Sequence, residues 1–150
     1  PGGPIAAENA LRGAWKVRCE RGTISMRVTL APTMPPKVQH WSWTSAMPLG
    51  AAMTRAVDAI VGLVGAPDET RIRALAAPGL DIPPVIAALA AGTGYGACQV
   101  GDVLSGDGEE SATVAVPCEK GDLRLAIGAD RASGKVTRVR LAPAPGACPR

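Results

Sequence analysis

The chain has 150 residues, of which 47% are hydrophobic and 19% are charged, and its formal net charge is +3. This length and composition are typical of a globular protein with one sizeable core, and they exclude an intrinsically disordered chain. The low charge, without dense basic clusters, argues against a nucleic-acid binder. The longest uncharged stretch, residues 82–101, is interrupted by proline and glycine, so we predict no membrane span.

The N-terminal part of the chain predicts strands. Residues 1–12 lack periodicity and are expected to be a tether, whereas apolar and polar residues alternate from Trp15 to Glu20 and again from Ile24 to Leu30. The rigid turn APTMPP then leads into a third strand, KVQHWSW. Residues 13–46 are therefore predicted to form a β segment. Its alternating basic residues favour a solvated face over a site for a polyanion: Lys16, Arg18 and Arg27.

The composition changes at residue 47. Small apolar residues recur at helical spacing up to Gly65, and two more short helices are predicted, one from Asp68 and one after Asp81. The period of two returns from residue 97 and predicts a four-stranded meander. Strands and helices in separate stretches indicate an α+β fold with the helices on one face of an antiparallel sheet.

The four cysteines predict disulfides rather than a metal site. The chain has no C-x-x-C pair and a single histidine, so we expect no metal and no cofactor. Cys98 and Cys118 lie symmetrically about the turn Gly106-Asp107-Gly108, which would place them opposite each other in a hairpin. Elimination then pairs Cys19 with Cys148, and a partner of Cys19 outside this chain is the alternative. Two disulfides imply a secreted or periplasmic protein, and four free thiols in a cytosolic protein remain the alternative.

A strand–turn–strand pattern occurs twice in the chain. The segment Cys19-Glu20-Arg21-Gly22 matches Cys118-Glu119-Lys120-Gly121 at an offset of 118 − 19 = 99 residues. An alternating apolar run follows in both, and then KVQHWSW in one copy and KVTRVRL in the other. The helical stretches lie between the two copies.

The helices followed by V-x-V-P-C-x-x-G-x-L-x-L-x-I resemble the NTF2-like (ketosteroid-isomerase-like, cystatin-like) fold. Similar small domains are attached to secreted bacterial serine hydrolases of the β-lactamase-related kind, and the ending G-K-I-x-x-L-x-L-x-P of their last strands is matched from Gly134 to Pro143. The resemblance implies a helical layer on the concave face of a curved antiparallel sheet over residues 47–143, with a tail at 144–150. Residues 13–46 look like the end strands of a second copy, either from a truncated tandem pair or as an extension of the one sheet.

The sequence carries no hydrolase motif such as S-x-x-K or G-x-S-x-G. We therefore expect a non-catalytic extracytoplasmic accessory or binding domain, whose partner is a neighbouring catalytic domain or another protein. Trp41 and Trp43 share a strand face and predict an interface, a core or a ligand groove, and also a dimer through the sheet. The alternative is a small-molecule site or isomerase in the NTF2-like cone, for which the candidates are Asp102, Tyr95 and His40.

Overall fold

A computed structural model describes residues 6–145, and the burial of side chains for residues 10–145. The chain divides into two compact units, Pro1–Pro48 and Leu49–Arg150. The division falls two residues after the predicted boundary between residues 46 and 47. Strands and helices occupy separate stretches of the chain, so the fold belongs to the α+β class.

The N-terminal unit is an antiparallel meander of four strands. They are β1 (Ala6–Asn9), β2 (Arg12–Cys19), β3 (Gly22–Ala31) and β4 (Lys37–Ala46), and each pairs with the next. β1 lies in the segment that was expected to be a tether. Its sequence, AAEN, is short and weakly apolar, so it carries little periodicity, and its pairing with β2 is what makes it a strand.

The C-terminal unit begins with three short helices: α1 (Ala51–Val61), α2 (Glu69–Leu75) and α3 (Ile82–Ala90), followed by a 3-10 helix over Ala91–Tyr95. The Asp68 side chain caps α2 by accepting a hydrogen bond from the Arg71 backbone N–H at 3.1 Å. Prolines occupy the first turn of α3, where missing backbone donors cost nothing.

Four further strands complete this unit as a second antiparallel meander: β5 (Val103–Gly106), β6 (Ser111–Cys118), β7 (Gly121–Ala129) and β8 (Val136–Pro143). One face of this meander packs against the helices. Side chains from both form a single core, whose largest members are Met53, Ile60, Leu63, Ile72, Leu89, Leu125 and Ile127.

The expected NTF2-like arrangement, a helical layer in the concave face of a curved sheet, is wrong. Strands predominate over helices, and the sheet is neither closed nor strongly curled, so it forms no cone. The helices have only 11, 7 and 9 residues. Glycine and proline interrupt the helical stretch at Gly65, Pro67 and Gly79, which keeps these helices short.

The predicted disulfide between Cys98 and Cys118 is confirmed. The two residues oppose each other as an isolated antiparallel bridge just before β5 and at the end of β6. The hairpin itself turns over residues 107–110, slightly later than predicted. The pairing shifts by one residue between Val103 and Ser105 and by one more between Cys98 and Val103. The cysteines therefore meet because these two shifts together compensate for the displaced turn.

Asp107 organises this turn. Its Oδ1 accepts hydrogen bonds from the backbone N–H groups of Ser111, Glu109 and Glu110 at 2.8–2.9 Å. These bonds, above all the one from Ser111, lower the pKa of the Asp107 carboxyl from 3.8 to about 2.

We expect Asp107→Ala to lower the free energy of unfolding by about 1 kcal/mol, discounted for the solvent exposure of the turn. Because the folded-state pKa is depressed, this stabilisation is complete above pH 3.8 and disappears as the pH falls through about 2. Urea unfolding at several pH values measures it. Asp102→Ala, which removes an exposed carboxylate without a hydrogen bond in the described part, is the matched control. Equal losses in both variants, or a loss that persists undiminished at and below pH 2, would contradict this role.

The two meanders are structural repeats of each other. Both contain a two-residue turn closed by a glycine at positive φ, Gly22 (157°) and Gly121 (141°). Both also carry a register shift at the same place, after Thr29 in one and after Gly128 in the other. Matching cross-strand pairs follow throughout: Ala6↔Ala14 with Ser105↔Thr113, Trp15↔Met26 with Val114↔Leu125, and Met26↔Trp43 with Leu125↔Leu141.

Candidate functional site

The sheet of the N-terminal unit has one face that is almost entirely apolar. Register fixes its composition, because directly paired residues point to the same side: Trp15 pairs with Met26, and Met26 with Trp43. We call this side the apolar face. It comprises Gly13, Trp15, Val17 and Cys19 of β2, Ile24, Met26, Val28 and Leu30 of β3, and Val38, Trp41, Trp43 and Ser45 of β4.

The apolar face is open to solvent. No residue from Ala10 to Pro48 is buried, in contrast to the well-packed core of the C-terminal unit. Trp41, Trp43 and Val38 are 57%, 59% and 65% exposed. Large apolar side chains that are exposed together on one strand are unusual in a folded protein and mark sites of interaction.

The opposite side of the same sheet is polar and basic. Its strand residues are serines, threonines and alanines interspersed with positively charged groups, and the exposed Glu20 in the β2–β3 turn is the one acidic side chain between residues 10 and 48. We call it the basic face. It carries Arg12, Lys16, Arg18, Arg27, Lys37 and His40.

A shallow depression of about 410 Å³ lies at the end of the sheet beside the β2–β3 turn. Cys19, Ile24 and Met47 contribute to its lining. Cys19 is exposed and forms no disulfide with another described cysteine. Its expected partner, Cys148, lies outside the described residues, so that pairing stays a prediction.

The sequence-predicted catalytic candidates are placed as follows. His40 lies exposed on the basic face, opposite Thr29. In the C-terminal unit, the Tyr95 ring packs against the core beside Gly121, and Asp102 is exposed just before β5. Among the hydrogen bonds of residues 10–145, none joins the Asp102 carboxylate to the Tyr95 hydroxyl.

Among the described side chains, the shifted pKa values are those of aspartates that accept hydrogen bonds within turns. The pKa of Asp130 is lowered because its carboxylate accepts hydrogen bonds from the Ser133 hydroxyl and backbone, as Asp107 does in its own turn. No charged or polar side chain is buried in the described part, and no three His, Cys, Asp or Glu residues there are grouped as metal ligands. What the described residues of the N-terminal unit bring together is a group of exposed apolar side chains on one face of a sheet.

Sequence reasoning found Trp41 and Trp43 but missed the extent of the surface. Trp15, Met26 and Val28 belong to the same face, and each strand shows the alternation that places them there. The sequence did not show the register between strands. This register determines whether the apolar residues of β2, β3 and β4 lie on the same side of the sheet. The internal repeat could have supplied it, since the second copy shows the same alternation.

In the described part of the chain, none of the helices has the length and apolar character needed to cross a bilayer. No protein-family model, curated protein or solved structure matches the chain.

Proposed function

We propose that this chain is a non-catalytic binding module that docks onto a protein partner through the apolar face. The observation that carries the proposal is that the antiparallel sheet formed by β2, β3 and β4 has one apolar side on which no residue is buried. A sheet with a hydrophobic face gains stability only when another layer of structure covers that face.

The size of the face supports a specific contact. Three strands about 4.8 Å apart and about 30 Å long span roughly 400 Å² in projection. Patches of about 300–600 Å² are the largest on typical monomers and are often functional. Indole side chains supply large buried areas on binding, and Trp is enriched among the residues that dominate interface energies. All three tryptophans of the chain lie on this face.

The charges favour a protein partner over a lipid surface. The positive groups Lys16, Arg18 and Arg27 lie on the basic face, so a sheet that inserted its tryptophans into a bilayer would direct these charges away from anionic headgroups. The Cys98–Cys118 disulfide supports a secreted or periplasmic location. A neighbouring serine hydrolase, expected from the sequence, stays a proposed identity for the partner.

The test compares the two faces of one strand. The photo-cross-linking amino acid benzoylphenylalanine is placed at position 41, on the apolar face, or at position 40, on the basic face, in the producing cells. We expect one discrete protein adduct from position 41, its loss when Trp43→Thr is added, and no adduct from position 40. Equal adducts from both positions, or adducts with lipid alone, would refute docking of a protein through this face.

A further inference from the structure

The internal repeat shows what happens to the apolar face in its second copy. The residues equivalent to Trp15, Met26 and Val28 are Val114, Leu125 and Ile127, and each of these is fully buried. The same holds at the register shift, where Val38 corresponds to Val136, which is 1% exposed. The two faces therefore have the same strand register and apolar pattern, but the face of the second copy is buried and the face of the first copy is exposed.

Short amphipathic helices cover the second copy. α1 contributes Met53, Val57 and Ile60 to the core, at the i, i+4, i+7 spacing of one helix face, and α3 contributes Val85 and Leu89 at i, i+4. These helices immediately precede the meander they cover, and the Cys98–Cys118 disulfide ties the end of the helical stretch to β6.

We infer that the occupant of the apolar face is a protein segment of the same kind: short amphipathic helices that present an aliphatic stripe to the sheet. This inference rests on the proposed function and names the chemistry of its partner. The two meanders share register, turn and bulge, so they present side chains to a covering layer at the same spacing. Val139 and Leu141, the equivalents of Trp41 and Trp43, are only partly buried, so the helical cover of the second copy is closest over β6 and β7.

The residues that differ between the two copies indicate which side chains the partner's aliphatic stripe must accommodate. Trp15 replaces Val114, Trp41 replaces Val139 and Trp43 replaces Leu141. Interiors are close-packed, so bulkier residues on the sheet require smaller ones on the helices. The partner's stripe is therefore richer in alanine and glycine opposite the indoles than the stripe of α1.

In the experiment, helices are added directly before the first meander, in the same order along the chain as the helices that precede and cover the second meander. Residues 49–104 are repeated ahead of Ala6, which corresponds to Ser105, so that the added helices lead into β1 as the original ones lead into β5. The added segment contains no tryptophan, so the indole fluorescence of the extended chain still reports only on the apolar face. The control carries Met53→Asp, Val57→Asp and Ile60→Asp in the added copy alone.

We expect the extended chain to show tryptophan emission at shorter wavelength and iodide quenching reduced several-fold relative to the unmodified chain, whereas the control behaves like the unmodified chain. When Cys148→Ala is also introduced, so that the predicted Cys19–Cys148 pair cannot compete, the added copy of Cys98 should bond to Cys19 in a glutathione buffer, as Cys98 bonds to Cys118. The two thiols then lose two electrons and two protons to oxidised glutathione, which forms two reduced molecules. Non-reducing peptide mapping detects the bond.

Three results would overturn the inference. Unchanged emission and quenching in the extended chain would show that helices of this kind do not cover the face. An unmodified chain that light scattering shows to be a dimer with protected tryptophans would identify a second copy as the occupant, and docking through the face would still stand. A shift to shorter wavelength on adding phosphatidylglycerol vesicles would identify a lipid occupant and would refute the proposed function as well.

Discussion

Replacing both Cys98 and Cys118 with alanine is expected to lower the melting temperature of the C-terminal unit by roughly 10–20 °C. The disulfide closes a loop with a sequence separation of 20 residues. Restricting the unfolded chain by a loop of this length contributes about 3 kcal/mol to stability. The bond also joins the segment after the helices to the end of β6, so its loss frees the helices to separate from the sheet.

Circular dichroism at 222 nm measures this transition selectively, because every helix of the described chain belongs to the C-terminal unit. Ser105→Ala with Thr113→Ala is the matched control, since these residues face each other on the same two strands without a covalent bond, and it should change the melting temperature little. If the double variant melted together with the control, the disulfide would have no stabilising role. If peptide mapping of the native protein joined Cys98 to another cysteine, the described pairing would be refuted.

Local patterns in the sequence predicted most of the elements. The period of two marked β2, β3 and β6–β8, and glycine, proline and capping signals marked the three helices. The disulfide was predicted from the symmetry of a local hairpin, and the pairing is correct although the turn is displaced and register shifts restore the match between the cysteines. β1 escaped because four residues with little apolar character show no period, and only pairing with β2 defines it.

The arrangement of these elements was not predictable in the same way. Alternating strands after short helices fit many antiparallel α+β folds, and the resemblance to an NTF2-like domain rested on this shared pattern. What separates such folds is sheet curvature and helix length, which depend on where bulges and breaks fall. The consequences were large for the candidate site, because a sheet that is not strongly curled offers no cone for Asp102 and Tyr95. Their catalytic roles stay untested predictions.

The composition of the apolar face depends on the register between strands, which the sequence shows only indirectly. Trp41 and Trp43 could be placed on one face from their spacing within a strand, but Trp15 joins them through two successive strand pairings. A shift of one residue in either pairing would move it to the basic face. The predicted dimer through this face stays a prediction, and the oligomeric state of the unmodified chain is one of the results that the tryptophan measurements decide.

Substitutions at equivalent positions of the repeat are expected to differ strongly in their effect on the free energy of unfolding. Leu125 and Met26 occupy the same place in the two meanders, but Leu125 is fully buried, whereas Met26 lies on the open face. We expect Leu125→Ala to lower the free energy of unfolding by about 3–4 kcal/mol, because it removes buried methyl groups and leaves a cavity. Met26→Ala should cost less than about 1 kcal/mol, because solvent fills the space it leaves.

Urea unfolding followed at 222 nm measures the first variant, and tryptophan emission measures the second, since helices and indoles lie in different units. The difference between these two losses of unfolding free energy should become smaller when the apolar face is covered. In the chain that carries residues 49–104 ahead of Ala6, Met26→Ala should cost about 2 kcal/mol or more, approaching the cost for a buried methionine. If Met26→Ala were already as costly as Leu125→Ala in the unmodified chain, the face would be buried in solution, and its role as an open docking surface would be refuted.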